Sequence, residues 1–258
     1  MVHEYQHINP DPLADSAGVP WEGRHLEPNP HANDDGTADP SLLAIIDEFK
    51  AGRALAEAVV VALGTARLLV PLVANLGEAG QGAHGQVVDK SADLSIVSVQ
   101  SPDGQIALPV FSSVAAMQVW NPKARPVPIE TARVALAAAS EKNNRIILDP
   151  GSPTQFAVRQ NAYQALAQQL PWIHPSRDPD VKAAFKAAID VETAVENYAI
   201  QDGDPAAALT GPEVLVYLKL EAGLTQNELV LVLERLGVAW AASPEIALKV
   251  DSLGIKLV

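Results

Sequence analysis

From about residue 40 onward, apolar residues recur at helical spacing or in short runs, and this pattern predicts a succession of helices and strands. The first helix is predicted to begin with Ser41 as its N-cap. Residues 54–63 are helical in composition, and Gly64 is a natural C-terminal cap. The run 67–73 predicts a strand, and Pro71 within it favours an edge position or a bulge.

Two further apolar runs, at 94–99 and 106–111, flank the segment Ser101–Gly104. That segment places proline and glycine where a tight turn needs them, so the three pieces together predict a β-hairpin. A short helix over 114–120 and an alanine-rich helix over 130–141 are expected to follow.

A second set of elements is predicted toward the C-terminus. A helix is expected over 180–188, followed by antiparallel strands over 194–200 and 213–219. Thr225–Glu228 matches a capping box and predicts an amphipathic helix behind it. The final stretch, 246–258, is expected to be extended, which makes the second unit a small α+β layer structure.

Three segments are predicted to lack regular structure because they are rich in proline, glycine or polar residues. Residues 1–40 are acidic and proline-rich, with too little apolar surface to offset the entropy of ordering. Residues 75–93 predict a mobile loop, and residues 171–179 a linker. The chain is thus predicted as a disordered leader, two α+β domains at 41–170 and 180–258, and the linker between them. In the first domain, helices flank a mixed or antiparallel sheet.

Charge and cysteine content narrow the classes of function. The 258-residue chain carries a formal net charge of −13, which repels phosphate backbones and anionic lipid. We therefore expect no nucleic-acid partner and no membrane partner. The absence of cysteine excludes disulfides, thiolate catalysis and Cys-based zinc sites. Because no basic start precedes an apolar stretch, the sequence predicts a cytoplasmic protein.

Four motifs occur in an order that resembles one known family. They are the helix plus strand of Ala54–Val73, the Leu-Pro-Val-Phe-Ser strand and Trp-ended helix of Gln105–Trp120, Arg125–Pro128, and Ile146–Pro153. Together they resemble the N-terminal domain of the SseB family, named for enhanced serine sensitivity, over about residues 41–170. The resemblance implies an α/β domain and supplies no catalytic residues, since none are established for the family. The second unit resembles, more weakly, the C-terminal domain of some members.

A turn in the first domain is a candidate anion or ligand site. The run 146–148 predicts a buried strand, and 149–153 predicts a turn leading directly into a helix over 154–168. Backbone N–H groups at a helix N-terminus after a glycine turn bind anions, but two prolines remove donors here. The alternative is a structural turn capped by Ser152 or Thr154. The candidate ligand residues are Arg145, Asp149, Gly151, Ser152 and Arg159.

A second hypothesis concerns protein contacts. Tryptophan and arginine are favoured at interface centres, and prolines hold a chain rigidly extended. The candidate partner-binding residues are Trp120, Pro122, Arg125, Pro126 and Pro128. The alternative is that Trp120 packs inward while the prolines only span the domain. The final strand, Leu253–Val258, is a possible edge for weak homodimerisation.

No catalytic constellation stands out. His174 lies in the predicted linker without a serine in an elbow motif, and the histidines and acidic groups match no metal-ligand spacing. The sequence predicts no catalytic residues, no metal and no cofactor. It favours a non-enzymatic protein-interaction or regulatory module with an unknown protein partner. The alternative is a small-metabolite-binding regulatory domain or an enzyme of unknown reaction. An accessory role in secretion is implied only by a name given to the family.

Overall fold

The elements of the chain are known from a computed structural model. It describes residues 31, 33–75, 80–81, 87–88 and 93–258. The predicted leader at 1–40 and loop at 75–93 therefore lie largely outside the described residues. The described helices are α1 (Pro40–Lys50), α2 (Ala56–Thr65), α3 (Val114–Trp120), α4 (Thr131–Ser140), α5 (Gln160–Gln168), α6 (Pro179–Ile189), α7 (Gln226–Ala242) and α8 (Pro244–Lys249). The described strands are β1 (Arg67–Asn75), β2 (Gly80–Gln81), β3 (Val87–Val88), β4 (Asp93–Ile96), β5 (Val99–Gln100), β6 (Ile106–Val110), β7 (Arg125–Glu130), β8 (Arg145–Leu148), β9 (Phe156–Arg159), β10 (Val195–Asp202), β11 (Val214–Leu220) and β12 (Leu253–Leu257).

Strand β1 organises the N-terminal sheet because other strands pair along both of its edges. On one edge, β7 pairs antiparallel with Arg67–Leu72; on the other, β4 pairs antiparallel from Leu72 onward. On the edge away from β7, Leu69 also exchanges backbone hydrogen bonds of 2.8 and 2.9 Å with Phe111, just past β6. This bridge joins β1 to the sheet β5–β6–β8–β9, in which only β6 and β8 run parallel.

The expected edge position or bulge at Pro71 is wrong, because β1 lies between β4 and β7 in regular register. Backbone groups alternate sides along a strand, so the missing N–H of Pro71 faces the same way as Leu69, away from β7. It falls between the Phe111 bridge at Leu69 and the first β4 pair at Leu72. Proline is tolerated in this inner strand because no ladder partner stands opposite its nitrogen.

Helices α1, α2, α4 and α5 supply the apolar faces that cover this sheet. Their buried side chains and those of β1, β6, β8 and β9 form one core. Its members include Leu42, Ile46, Val59, Leu63, Leu68, Val70, Leu108, Val110, Val134, Ile146, Leu148, Phe156 and Val158. Each such side chain contributes roughly 1.5–3 kcal/mol on leaving water. The N-cap of α1 is Asp39, which accepts from the N–H of Ser41, so the expected cap at Ser41 is wrong.

The C-terminal sheet has its own core. Strands β10 and β11 are antiparallel as predicted, and β12 is parallel to β11, reached through α7 and α8. The rings of Phe185 on α6 and Trp240 on α7 pack edge to face at 5.2 Å. The predicted capping box is confirmed, with Thr225 and Glu228 satisfying each other's backbone N–H groups at the start of α7. Residues 34–258 nevertheless form one compact unit.

Three predicted elements are wrong in their bounds, and strand pairing explains the first two. The run 94–99 is divided between β4, which pairs with β1, and β5, which forms the hairpin with β6. The helix expected over 154–168 begins only at Gln160, because Phe156–Arg159 pairs with β8 as a strand. The expected extended stretch 246–258 begins as α8 and becomes β12 only at Leu253. The class α+β, with helices flanking mixed and antiparallel sheets, is confirmed for the described residues.

Candidate functional site

Two arginines from the sheet β5–β6–β8–β9 reach the C-terminal segment. Arg145 and Arg159 stand opposite each other on β8 and β9. Arg145 donates from Nη1 and Nη2 to the two carboxylate oxygens of Asp251 at 2.8 Å each, and from Nε to Asp103 at 2.9 Å. Arg159 donates to Asp251 at 3.1 Å and to Asp204 at 2.9 Å. We call these five residues the arginine junction; its centre is Asp251, which both guanidiniums share.

The arginine junction is buried apart from Asp103, which is exposed, and Asp251, which is half-buried, so its pairing decides what it can do. Arg145 is 5% exposed, and Arg159 and Asp204 are each 7% exposed. Removing a buried guanidinium's carboxylate leaves an uncompensated charge, whereas a complete set of partners makes the burial tolerable. An open cleft of about 600 Å³ lies against the junction. An anionic ligand in this cleft would have to displace Asp251 from the arginines.

Beside the junction lies a fully buried carboxyl group, Glu213. It accepts from Asn161 Nδ2 at 2.8 and 3.0 Å and from the backbone N–H of Asp251 at 2.7 Å. Burial raises the pKa of Glu213 from its ordinary value of 4.5 to about 7, while the two hydrogen-bond donors and Arg159 oppose the rise. Glu213 therefore changes its charge near neutral pH.

A small aromatic pocket adjoins the same residues. Phe49, Phe156 and Trp172 line it together with His174 and Glu213. The volume that the centres of water molecules can occupy in this pocket is about 30 Å³, enough for roughly two waters. The pocket is thus too small for an ordinary metabolite without movement of its walls.

His174 has a serine and an aspartate as neighbours in this pocket. Its Nδ1 lies 2.9 Å from Ser176 Oγ, and its Nε2 lies 3.5 Å from Asp202 Oδ1. The same Nδ1 also accepts the backbone N–H of Ser176 at 3.2 Å, which closes a turn. Ser176 is buried, so its hydroxyl is not presented to a substrate. Burial lowers the pKa of His174, and the carboxylates of Asp202 and Glu57 oppose this.

The segment around His174 is fastened to α2. Glu57 accepts from the backbone N–H of His174 at 3.1 Å and from Nε and Nη2 of Arg177 at 2.8 and 2.7 Å. Sequence reasoning did not single out Glu57, Glu213 or Asp251, because no local spacing relates them to their partners. The only local signal was that charged residues stand at or next to the ends of three buried strands, namely Arg145, Arg159 and Glu213.

The other candidate ligand residues lie at the opposite end of the β8–β9 hairpin from the arginine pair. Asp149 is fully buried and accepts from Ser112 N and Oγ at 2.8 and 2.7 Å and from Thr154 Oγ1 at 2.7 Å. Its φ of 45° places it in the left-handed region, where aspartate is tolerated. The structure thus divides the five candidates into two groups, one at each end of the hairpin.

The donors of this turn are already used within it. The N–H of Gly151 donates to Gln155 Oε1 at 2.7 Å. Ser152 Oγ accepts from the N–H of Thr154 at 3.1 Å. Since β9 rather than a helix follows, the free helix N-terminus assumed for anion binding is absent from these described residues.

The candidate partner-binding residues lie on α3 and β7. Trp120 is half-buried and packs on Phe111, with ring centroids 5.3 Å apart, and on a small cluster with Met117 and Ala124. Pro128 is half-buried in β7. The Trp120 ring therefore packs mainly beneath this surface and projects little from it.

The remaining residues of this region face solvent. Pro122, Lys123, Arg125 and Pro126 are exposed, and Val119 is 87% exposed. No described residue donates to, accepts from or pairs with the Arg125 guanidinium. We call these five residues the α3–β7 surface; it combines apolar, rigid and cationic groups without internal partners for Arg125.

The described residues offer no metal site and no membrane-spanning helix. Among them, no group of three or more His, Cys, Asp or Glu side chains is placed to hold a metal ion. None of their helices is long and apolar enough to cross a membrane.

Comparison with known proteins concerns mainly the N-terminal sheet and its helices. Residues 42–164 match the family model described as the SseB protein N-terminal domain. This range contains the α3–β7 surface and both arginines of the junction, whereas Asp204 and Asp251 lie beyond it. No curated protein and no solved structure matches the chain. The match confirms the resemblance found in the ordered motifs and assigns residues 42–164 to the SseB protein N-terminal domain.

Proposed function

We propose that the protein acts without catalysis, by binding a protein partner on the α3–β7 surface. The observation that carries the proposal is Arg125, an exposed guanidinium that no described residue pairs with, held on a proline-containing strand that follows the helix of the exposed Val119. Arginine and rigid apolar groups at a surface are the features on which partners gain binding energy. A rigid strand also loses little conformational entropy on binding.

Charge indicates the kind of partner. The chain has a net charge of −13, yet Lys123 and Arg125 place two cations on this surface. A protein segment with carboxylates next to apolar side chains is complementary to it. The same overall charge supports the view that nucleic acids and anionic membranes are not partners. We propose that this binding takes place in the cytoplasm.

The alternative is a small-metabolite-binding regulatory domain that uses the cleft beside the arginine junction. An open cleft of about 600 Å³ favours it. It has less support, because the guanidiniums of Arg145 and Arg159 already bind carboxylates. Mass spectrometry of the native protein tests it, since a retained stoichiometric metabolite would favour the alternative.

A site-specific photo-crosslinker tests the protein-binding proposal. Placed at Val119 in cells that make the protein natively, it should give one discrete protein adduct. The matched control position is Val191, which is 80% exposed but lies far along the chain on the C-terminal unit. The adduct should disappear with Arg125→Glu. The same adducts at both positions, or an adduct indifferent to Arg125→Glu, would contradict the proposal.

A further inference from the structure

Three of the strands that form outer edges of the described sheets differ in what they offer to another strand. They are β7, β10 and β12. An unpaired edge exposes a row of N–H and C=O groups and is a template for pairing with another chain. Proteins commonly block such edges with proline, bulges or local hydrogen bonds.

The free edge of β7 is blocked by proline. Leu69 on β1 bonds Phe111, so its groups point away from β7, and its register partner Pro128 likewise points away from β1. Pro126 occupies the next position of the same kind. The outer edge of β7 therefore lacks two successive N–H donors.

The free edge of β10 is blocked by a bulge and a side chain. Its register with β11 shifts between Val195 and Asn197. The N–H of Tyr198, which faces outward, donates instead to Asn197 Oδ1 at 2.8 Å. A bulge and a capped donor both interrupt the regular row that a partner strand requires.

The free edge of β12 carries neither device. Ser252 O accepts from Val214 N, and Val258 N donates to Leu218 O, so even-numbered residues face β11. The N–H and C=O groups of Leu253, Ile255 and Leu257 consequently point outward. No described strand pairs with this edge. Ile255 and Leu257 are 38% and 44% exposed, so apolar surface accompanies the open backbone.

We propose that β12 binds β12 of a second copy of the chain, antiparallel, with the two-fold axis at Ile255. This register places Ile255 opposite itself and Leu253 opposite Leu257 of the partner copy. All three are outward-facing residues, so the two strands exchange about six backbone hydrogen bonds. The result is a continuous six-stranded sheet built from two three-stranded ones.

Side chains favour this register over its neighbours. Lys256, the charged residue within β12, stands opposite Gly254 of the second copy, so like charges are not directly opposed. A two-fold axis at Lys256 would oppose the two ammonium groups. It would also centre the pairing on a residue whose backbone groups already face β11. The contact area of one short strand predicts weak association, at the low end of specific interfaces.

A single cysteine tests the register directly, because the chain has no cysteine of its own. Directly opposite residues of a hydrogen-bonded antiparallel pair have Cα atoms about 5.5 Å apart, within the range of a disulfide. Under mild oxidation, Ile255→Cys should form a covalent dimer at least tenfold faster than Val258→Cys. Val258 is a stringent control because it is more exposed, at 69%, but does not face itself. Equal rates at the two positions would overturn the proposal.

Charge variants test it without covalent trapping. Ile255→Lys and Ile255→Glu each place like charges opposite one another and should be monomeric at concentrations where the unmodified chain is half dimeric. Their mixture should form a heterodimer in analytical ultracentrifugation. Lys256→Glu is the matched control and should leave dimerisation unchanged. A concentration-independent monomer mass for the unmodified chain, or no association of the mixture, would overturn the proposal.

This inference goes beyond the proposed function, because it concerns the C-terminal sheet and a second copy of the chain. The crosslinker at Val119 reports only on the α3–β7 surface, and the cysteine at 255 only on β12. Failure of one therefore leaves the other standing.

Discussion

Arginines in two regions of the molecule show how the same side chain takes different roles. In the arginine junction, Arg145 and Arg159 are buried and bind Asp103, Asp204 and Asp251. On the α3–β7 surface, Arg125 is exposed, and no described residue pairs with it. A guanidinium that already has its carboxylates holds the fold together, whereas one without them remains available to a partner.

The largest expected effect is that of Asp251→Ala, which removes the carboxylate that both buried arginines share. Two guanidiniums then lose their common partner, and we expect the free energy of unfolding to fall by about 3–5 kcal/mol. Urea denaturation followed by circular dichroism measures it. The control is Asp190→Ala, which breaks the exposed ion pair with Lys186 and should cost far less. Equal losses in the two variants would show that the junction contributes little.

Glu213 sharpens the comparison, because its charge changes with pH near neutrality, whereas the charge of the arginines stays constant there. Its folded pKa of about 7 exceeds the unfolded value near 4.5, so the folded state binds the extra proton. The contribution of protonated Glu213 to the free energy of unfolding is fully present below about pH 4.5. Roughly 3 kcal/mol of it is lost as the pH rises to about 7. Glu213→Gln cannot ionise and should flatten that part of the stability profile. An unchanged slope between pH 4.5 and 7 would contradict the assignment.

His174 should give a smaller effect of opposite direction. Burial lowers its folded pKa below the ordinary value of 6.5, and nearby carboxylates partly offset the shift. The unfolded state therefore binds the proton more readily, and stability is lost as pH falls below about 6.5. In a Glu213→Gln background, where the first group is silent, thermal unfolding should show this acid-side loss. Adding His174→Gln should remove it.

The smallest effect on stability is expected for Arg125→Ala. Because the exposed guanidinium has no described partner, its removal should change the free energy of unfolding by less than about 0.5 kcal/mol. The same substitution should weaken capture of the partner crosslinked from Val119. A large loss of stability would show that Arg125 has a structural role and would remove the contrast with the junction.

Local signals predicted much of the fold. The turn at Ser101–Gly104 and the capping box of α7 both depend on neighbours within a few residues. Helix and strand spacing likewise predicted most elements and the α+β class. The strand β9 could not be predicted this way, because Phe156–Arg159 becomes a strand only by pairing with β8.

The candidate sites were predictable to a smaller extent. Arg145, Arg159 and Arg125 were identified from the sequence, but not which of them would be paired. Asp251 lies 106 residues from Arg145, and no local pattern relates the two. The partner of a carboxylate depends on which distant segments the tertiary fold brings together. Hydrophobic periodicity carries no information about that arrangement.

The sequence by itself determined the features that depend on composition and on hydrogen bonds between near neighbours in the chain. These features are the high negative charge, the absence of thiol chemistry, the caps and turns, and the ordered SseB motifs. Tertiary structure alone decided that Arg145 and Arg159 converge on Asp251, that Glu213 is desolvated, and that β12 keeps an open edge while β7 does not. The physical reason is that burial and pairing depend on distant residues that the fold brings together, whereas secondary-structure propensity and formal charge are properties of each residue by itself.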